Sequence, residues 1–505
     1  MSRINTNPSS MIAQSNLSKN NRMLNTTLER LSTGLRINRG KDDPAGLIAS
    51  ENLRAENTAL SAAISNAERA DQISNIAEGG LQEVSNLLTD LRGLVTATAN
   101  GAGLSVEEKQ ANQLQIDSIL QTIDRISEST NFQGVKLLNG NMDFTTSSVS
   151  ANVSDFRVNA AKINPGSNMA VTATVTTSAQ RGAFLLDFDA AGIVTTSAGK
   201  LFTVELQGAN GSREFSFSNG TTVNQAITAI NSFKDVLGIS AAAVSNSGID
   251  FRSTDFGSDQ FVSLKVVENA GVVGANIVQG GAAAAYTYTG TPTGVATGAT
   301  VRDNGQDIGG TINGVLATGK GRTLRVASDF LDTSITLAAA TAGATGTTNA
   351  FTITGGGASF QLSSKVDVNG KVALGIQSVA TRKLGRTENT SGTWFLSDLA
   401  SGKRGNVVTG VLTDAAGIVD EAIRQVSSLR GRLGAFQKNT VGSTISNLNV
   451  SLENSSAAES VIRDADFASE TAALTRGQIL SQAAGNSLQL SNSQPQQALS
   501  LLRGG

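Results

Sequence analysis

The chain has 505 residues, with 39 basic and 41 acidic side chains, no cysteine and no histidine. The balanced charge argues against nucleic-acid binding, and no membrane insertion is expected because no stretch approaches the roughly 18 apolar residues of a membrane span. Without Cys or His there are no disulfides, Cys/His zinc sites or Ser-His-Asp arrangements. This composition favours a structural or assembly protein without a metal or cofactor, and chemistry on carboxylates alone stays open. The motifs below supply no such site, so the chain is not expected to be an enzyme.

Both ends of the chain carry apolar residues at alternating spacings of three and four. A mean spacing near 3.5 is typical of the seam between coiled helices. No proline lies within 45–130 or 411–494, so long helices are permitted there. The seams therefore predict a coiled-coil-like helical bundle. Their members are Leu17, Leu24, Leu28, Leu31 and Leu35; Ala77, Leu81, Val84, Leu88, Leu91 and Val95; and Val419, Ile423, Val426, Leu429, Leu433, Ile445, Leu448 and Leu452.

The stretch "LRINRGKDDPAGLIASENL" interrupts the first seam at 35–53. We expect the first helix to run to Leu35 and to end in "NRGKDD" with the help of Gly40. Asp43 then suits the N-cap of the next helix, with Pro44 as its first residue. Asp42 and Asp43 are not expected to be catalytic, because adjacent carboxylates on extended chain point apart.

A further helix should begin at Ser105, where "SVEE" forms a capping box with Glu108. The following "NFQGVKLLNG" at 131–140 predicts a short hairpin. No site chemistry is expected at Asp464 and Asp466. Arg430 and Arg432 are interpreted as a solvated face or as intersubunit ion-pair partners.

The middle of the chain, roughly 140–400, is rich in Gly, Thr, Val and Ala and predicts β-structure. Alternating Phe and Val residues predict one hairpin across "GANGS" and another turning at Asn246 to Gly248. Thr222 should open a short helix with Val223, Ile227, Ile230 and Leu237 on one face. The low-complexity stretches 270–302 and 337–359 predict loops or exposed strands.

The segment "GVLATGKG" at 314–321 nearly fits a phosphate-binding loop. Gly321 stands where Ser or Thr should hold magnesium, and both flanks are typical of strands rather than of a helix N-terminus. A hairpin turn explains the segment better.

The two ends resemble bacterial flagellin, the subunit of the flagellar filament. Three stretches carry the resemblance: "LERLSTGLRINRGKDDPAGLIASENL" (28–53), "QTIDRISESTNFQGVKLLNG" (121–140), and 423–505, which begins "IRQVSSLRGRLGAFQKN". It covers about 1–165 and 380–505. Within the middle, 221–252 is similar to an insert found in flagellins and in related flagellar cap proteins.

The resemblance implies a layered subunit that polymerises with itself. Residues 1–43 with 464–505 would form the inner helical layer, 44–165 with 380–463 a rod-like helical layer containing a β-hairpin, and 166–379 the β-rich outer domains. Gly40, Asp43 and Pro44 would then form the joint between layers. Inner-layer packing is assigned to Leu24, Leu28, Leu31, Leu35, Leu474, Ile479, Leu488, Leu499, Leu501 and Leu502.

The terminal segments are poor in strong helix formers, so we expect them to be disordered in the monomer and to order on assembly. The resemblance also implies export through the flagellar secretion channel. That route agrees with an N-terminus that lacks the apolar core of a cleavable signal peptide. The implied partners are an export chaperone, the filament cap and the hook–filament junction proteins, and the implied location is the extracellular filament.

Some flagellins activate an innate Toll-like receptor through an arginine and a glutamate on the rod-like layer. The matching positions here hold Asp90 and Gln115, while Leu94 is retained. One charge is reversed and one is lost, which argues against activation of that receptor.

Three functions other than that of a filament subunit fit the sequence to different degrees. A hook–filament junction protein has similar ends but a shorter or different middle. An enzymatic filament with an HExxH zinc peptidase motif is excluded because the chain has no histidine. An adhesive outer domain, binding glycans or host protein, stays open.

Overall fold

The computed structural model describes residues 6–100, 103–164, 166–188, 199–244, 248–269, 272, 276–279, 293–294, 296–389 and 392–503, without the side chains of 278–279, 293–294, 495 and 498–503. Most of the predicted loop 270–302 and the turn at Asn246 therefore lie outside the described residues. The chain forms two compact units. The terminal unit comprises Met1–Gln72, Gln361–Gly370 and Gly434–Gly505, and the central unit comprises Ile73–Phe360 and Lys371–Leu433.

The helices lie mainly at the two ends of the chain, as the seams predict. A 3₁₀ turn spans Leu396–Leu399, and a π-helix spans Phe436–Gly442. The α-helices are α1 (Pro8–Thr33), α2 (Pro44–Thr98), α3 (Val106–Ser129), α4 (Val223–Asn231), α5 (Lys234–Leu237), α6 (Ala339–Ala342), α7 (Leu412–Ala435), α8 (Ser443–Arg463) and α9 (Phe467–Arg503).

The strands lie between α3 and α7. They are β1 (Asn131–Phe132), β2 (Val135–Lys136), β3 (Phe144–Ser147), β4 (Val153–Ala161), β5 (Met169–Thr177), β6 (Ala183–Asp187), β7 (Phe202–Gly208), β8 (Ser212–Phe217), β9 (Ile239–Val244), β10 (Gly248–Ser253), β11 (Phe261–Glu268), β12 (Asn276–Gln279), β13 (Thr293–Gly294), β14 (Thr300–Asn304), β15 (Gly309–Ile312), β16 (Val315–Lys320), β17 (Thr323–Ala327), β18 (Leu331–Leu337), β19 (Gly346–Gly356), β20 (Ala358–Gln361), β21 (Lys371–Leu374), β22 (Thr387–Asn389) and β23 (Gly392–Trp394). Helical ends around a β-rich middle confirm the predicted fold class.

Local capping signals set several helix starts. Ser105 and Glu108 form the predicted capping box of α3, and Thr222 with Gln225 forms one for α4. The predicted helix after Thr222 is shorter than expected, because α4 ends at Asn231. Leu237 belongs instead to the separate turn α5, and both α4 and α5 contribute buried apolar residues.

In the central unit, the second part of α2 pairs with α7. Arg430 binds Glu78 at 2.8 Å, and Arg92 binds Asp420 at 2.8 Å. The predicted seam of α2 from Ala77 to Val95 is buried throughout, and most of the α7 seam is buried as well. The two helices therefore associate through the apolar residues that the sequence singles out.

The prediction of a solvated or intersubunit role for the two arginines of α7 was wrong. Arg430 is held by Glu78 within the chain, and Arg432 donates to Asn159 Oδ1 of β4. Burial lowers the pKa of Arg432, and the nearby carboxylates of Asp332 and Asp143 oppose that shift. Both arginines, which are half-buried, thus bind partners within the central unit.

An antiparallel sheet in the order β3-β19-β5-β15-β16-β17-β18-β4 covers one apolar core of the central unit. Its β19 overturns the prediction of loops or exposed strands for 337–359, because Ala350, Phe351 and Ile353 are buried. The segment "GVLATGKG" is strand β16 with a turn at each end, so it forms no phosphate loop.

A second apolar core lies between two further antiparallel sheets, ordered β13-β12-β6-β10-β9 and β14-β11-β7-β8. Phe184 and Phe251 stack at its centre with ring centroids 4.9 Å apart. The predicted hairpins are confirmed as β7-β8 and β9-β10, and β1-β2 forms the one predicted at 131–140. Elsewhere in the central unit, Trp394 of β23 is buried. The guanidinium carbon of Arg404 lies 4.8 Å from the centroid of the tryptophan ring.

In the terminal unit, the first part of α2 pairs with α8. Asn57 donates to Glu459 at 2.8 Å, and Arg463 binds Glu51 at 3.0 Å. The shared core is small and is built on Leu60, Ala63 and Leu448. The π-helix precedes α8 and spaces the buried Phe436 and Val441 by five residues, so the seam does not continue with an unbroken 3.5 repeat.

Candidate functional site: the paired helix breaks and the terminal helices

The first helix ends earlier than the sequence analysis expects. α1 stops at Thr33, and Gly34 takes the left-handed conformation with φ 72°, where its N–H donates to Arg30 O at 2.8 Å. The prediction that the helix reaches Leu35 and ends through Gly40 was therefore wrong. Gly40 lies in the connection that follows and does not have a positive φ.

The break after α1 lies beside the break between α8 and α9. Leu35 forms an antiparallel bridge with Asp464. On either side of it, Arg36 N donates to Arg463 O at 2.7 Å and Ala465 N donates to Gly34 O at 2.9 Å. These backbone bonds lock the two breaks together, so neither chain end bends independently of the other.

The connection to α2 is built on the two adjacent aspartates. Asp42 accepts from Arg39 N at 2.9 Å and from Asn38 N at 3.3 Å, and the bond from Arg39 is the main reason that the pKa of Asp42 is lowered. Asp43 accepts from Gly46 N at 2.9 Å, which confirms it as the N-cap of α2, with Pro44 first in the helix. Both carboxylates therefore accept backbone hydrogen bonds that shape the turn.

Two further residues shape this connection. Ile37 is 1% exposed and anchors it to the helices. Gly46 is required for close approach, because a Cβ there would lie 2.7 Å from Ile37 Cδ1 and 2.4 Å from Asp43 Oδ2. On the other side of the joint, Asp466 Oδ1 accepts from Ala468 N at 2.9 Å and so caps α9.

α1 and α9 run antiparallel and are joined by polar contacts along their length. Asn7 Nδ2 donates to Ser491 O at 2.7 Å, and Asn20 Nδ2 donates to Leu480 O at 3.2 Å. Near the joint, Arg30 binds Glu470 at 3.1 Å. The asparagines that weaken α1 as an isolated helix therefore bind its partner helix.

The leucines assigned to inner-layer packing are only partly covered in the single chain. Leu28 is 43% exposed and Ile479 is 64% exposed. The side chains of Leu499, Leu501 and Leu502 lie outside the described residues, although their backbone belongs to α9. The half-buried members of the set are Leu24, Leu31, Leu35, Leu474 and Leu488.

Several residues of this site were missed by the sequence analysis. Gly34 lies three residues after Leu31, the last leucine of the seam within α1, and helix-ending glycines often stand at such a place. Asp466, in contrast, was singled out and interpreted as a turn residue without site chemistry, which its N-cap role agrees with. The close approach of α1 and α9 at Gly477, where a Cβ would lie 3.4 Å from Leu24 Cδ1, has no local signal.

The three positions aligned with receptor recognition lie on the central unit. Asp90 and Gln115 are exposed on α2 and α3, and Leu94 is half-buried on α2. Among the described residues, no group of three or more acidic side chains is placed to hold a metal ion, and no helix combines the length and apolarity needed to cross a bilayer.

The chain matches three protein-family models and many curated proteins. The model of the bacterial flagellin N-terminal helical region matches residues 4–143, that of the C-terminal helical region matches 416–502, and the flagellin hook IN motif matches 202–255. Flagellin from Salmonella typhimurium is 30% identical over 99% of both chains, and B-type flagellin from Pseudomonas aeruginosa is 29% identical over 99% of both.

Among solved structures, the flagellar junction protein FlgL from Legionella pneumophila covers 82% of this chain and 99% of that one at 13% identity, with a TM-score of 0.27 that is too low to argue from. The flagellins, in contrast, match across the whole length, including the middle, which does not favour the junction alternative. The chain belongs to the bacterial flagellin family and is a structural subunit of the helical flagellar filament, an extracellular appendage for swimming.

Proposed function

We propose that α1 and α9 form the inner layer of the filament and become ordered when the subunit assembles. The observation that carries this proposal is the apolar surface that the helix pair leaves uncovered in one chain. It comprises Met11, Ile12, Met23, Leu28, Ile479, Leu480 and Leu490, which are 41–68% exposed.

Burial of these side chains against neighbouring subunits supplies the driving force for assembly. Full burial of one large apolar side chain stabilises a protein by about 1.5–3 kcal/mol. A pair of helices held chiefly by polar contacts gains little stability alone, so its folding depends on these added contacts. Assembly of this kind is heterologous and open, and it yields a helical polymer.

In this proposal the locked breaks are the joint between two layers. Residues 1–43 with 464–505 form the inner layer, 44–165 with 380–463 form the rod-like layer, and 166–379 form the outer domains. The backbone bonds from Gly34 to Ala465 and from Arg36 to Arg463 support the joint, because they hold both chains at the same level. Asp43 and Pro44 then fix where the rod-like layer begins.

The flagellar export chaperone, the filament cap and the hook–filament junction proteins are the proposed partners besides other copies of the chain. Export proceeds through the flagellar channel. We assign no catalytic role to the subunit. The exposed Asp90 and Gln115 do not provide the charges that the Toll-like receptor recognises, so receptor activation is expected to be weak.

Truncation of the chain after Gln494 tests the assembly role. We expect the truncated protein to form no filaments in electron micrographs, while calorimetry shows an unchanged unfolding transition of the central unit. Filaments of ordinary length from the truncated protein would contradict the proposal.

Limited proteolysis tests the ordering separately. In the monomer, α1 should be cut at Arg22 and Arg30 under conditions that leave Arg430 and Arg432 intact, and in the filament all four sites should be protected. Equal protection of α1 in both states would show that the helix does not order on assembly.

A further inference from the structure

A polar cleft of about 680 Å³ lies in the central unit, where the two β-cores approach the start of α7. Clefts of this volume accommodate a small ligand. Charged and hydroxyl side chains from six separate segments line it. They include Arg181, Lys234, Thr254, Arg322, Glu388 and Thr413.

Arg181 is held in place by its backbone neighbours in the connection between β5 and β6. Gln180 N donates to Gln306 O at 2.8 Å, and Ser253 N donates to Gly182 O at 2.9 Å. Ala183 N donates to the carboxylate of Asp303 at 2.8 Å. Arg181 therefore presents its side chain to the cleft from a fixed position, which lowers the entropy cost of binding.

The guanidinium of Arg181 packs on an aromatic ring. The guanidinium carbon of Arg181 lies 4.5 Å from the ring centroid of Phe256. The guanidinium carbon of Arg322 lies 5.6 Å from the same centroid. Nε is buried without a hydrogen-bond acceptor, and no carboxylate in the described part of the chain forms an ion pair with the side chain. Burial lowers the pKa of Arg181; Asp255 opposes that shift, whereas Arg252 and Arg322 add to it.

An unmatched guanidinium of this kind favours a planar oxyanion that accepts its parallel N–H donors. The rest of the lining suits hydroxyl groups. Ser240, Thr254 and Thr413 offer hydroxyls. Four carboxylates also line the cleft and accept from hydroxyl donors, namely those of Asp235, Asp255, Glu388 and Asp414. A ligand with one carboxylate and several hydroxyls satisfies both kinds of group.

We propose that this cleft binds a small sugar acid, with the carboxylate of the sugar on Arg181 and its hydroxyls on the Thr413 and Glu388 side. All of the residues that line the cleft belong to the central unit. The filament would thereby carry one acidic-sugar site on each subunit.

Titration calorimetry on the purified full-length monomer tests the proposal with three probes: glucuronate, glucose and inorganic phosphate. We expect glucuronate to bind at least about tenfold more tightly than glucose, since glucose lacks the carboxylate, and more tightly than phosphate, which lacks the hydroxyls. Equal binding of phosphate and glucuronate would overturn the proposal in favour of a general anion site. No binding of glucuronate would overturn it entirely.

Variants locate the interaction. R181Q should weaken glucuronate binding by about tenfold or more, the effect expected when a charged hydrogen-bond donor is removed. R213Q is the matched control, because Arg213 also stacks on a phenylalanine, Phe233, at 3.5 Å but does not line the cleft. Unchanged binding in R181Q with native melting would overturn the assignment. If R181Q melts early, R181K retains the charge without the planar fork and decides instead: several-fold weaker binding supports the site, and unchanged binding refutes it.

Discussion

The two units bury apolar surface to very different extents. The central unit contains two extensive apolar cores between its sheets and a fully buried seam on α2. The terminal unit has a small core around Leu60 and Leu448, and its helix pair α1 and α9 leaves Met11 and Ile479 largely exposed. The central unit can thus fold by itself, and in the proposed assembly the terminal unit acquires its missing contacts from other subunits.

The difference suggests two separate measurements for variants of this protein. The free energy of unfolding reports on the central unit, and the critical concentration, which is the monomer concentration left in equilibrium with filaments, reports on the terminal unit. A substitution in one unit should change one measurement and leave the other unchanged. The predictions below use this pairing, beginning with the largest effect.

F184A should produce the largest change. Phe184 is 0% exposed and stacks on Phe251, so its truncation should lower the free energy of unfolding of the central unit by about 3–5 kcal/mol. Urea unfolding measures this loss. V236A is the control, since Val236 is 60% exposed in the same region and its truncation should change little. A loss below about 1 kcal/mol in F184A would contradict the assigned core.

L28A and I479A should act on assembly instead. Each removes apolar surface that neighbouring subunits cover in the proposed assembly, which corresponds to about 1–3 kcal/mol and a rise of about fivefold or more in the critical concentration. Sedimentation of filaments measures it, with the exposed Ser18 of α1, in S18A, as the control. An unchanged critical concentration in both leucine and isoleucine variants would remove the support for inner-layer packing.

G34A should raise the critical concentration by about five- to thirtyfold. A Cβ is strained at φ 72°, at a cost of about 1–2 kcal/mol. G40A is the matched control in the same connection, because a Cβ there would meet only Leu47 Cδ2 at an ordinary 3.6 Å. If G40A impaired assembly more than G34A, the helix would end where the sequence analysis first placed it.

D43A should have a similar or slightly smaller effect, about 1 kcal/mol, because it removes the N-cap bond to Gly46. P44A changes the same joint without removing a hydrogen bond and should alter filament shape more than monomer folding. Electron microscopy of filaments from both variants checks this. Filaments of unchanged shape and critical concentration in both would argue against a joint at this point.

D143N should produce the smallest change, in the opposite direction. Burial raises the pKa of Asp143 above its usual 3.8, although the charges of Arg432 and Lys383 offset part of this effect. A carboxyl group whose pKa is raised by folding favours the folded state at acidic pH, and this stability is lost as pH rises through the folded-state pKa. Near pH 7 the ionised carboxylate therefore lowers the free energy of unfolding. The variant should therefore unfold at a higher urea concentration than wild type at pH 7, and the gain should disappear near pH 3. A lower midpoint at pH 7 would show that the charge of Asp143 is stabilising.

Local signals in the sequence predict a large part of this fold. Helix seams such as Leu81 to Val95 and caps such as Ser105 and Asp43 depend on neighbours a few residues away, so their pattern is visible in the chain itself. Gly34 was passed over in favour of Gly40 because the choice between two nearby glycines depends on which backbone takes the left-handed conformation.

Features that depend on distant contacts were not predicted. β19 is rich in Gly, Thr and Ala, and it becomes a buried strand only because β3 and β5 pair with it on both sides. Arg432 was assigned to a solvated surface because its neighbours on α7 give no sign of Asn159 on β4. The pairing of Leu35 with Asp464 joins opposite ends of the chain, and no local pattern announces it.

The single tryptophan has a practical consequence. Trp394 is buried in the central unit, and the two tyrosines of the chain, Tyr286 and Tyr288, belong to the sequence of that unit as well. Absorbance at 280 nm and intrinsic fluorescence therefore arise from the central unit alone, and the terminal unit is optically silent. A tryptophan introduced into α1, for example in place of Ser18, would give the terminal helices a signal of their own against a background of one native tryptophan and two tyrosines.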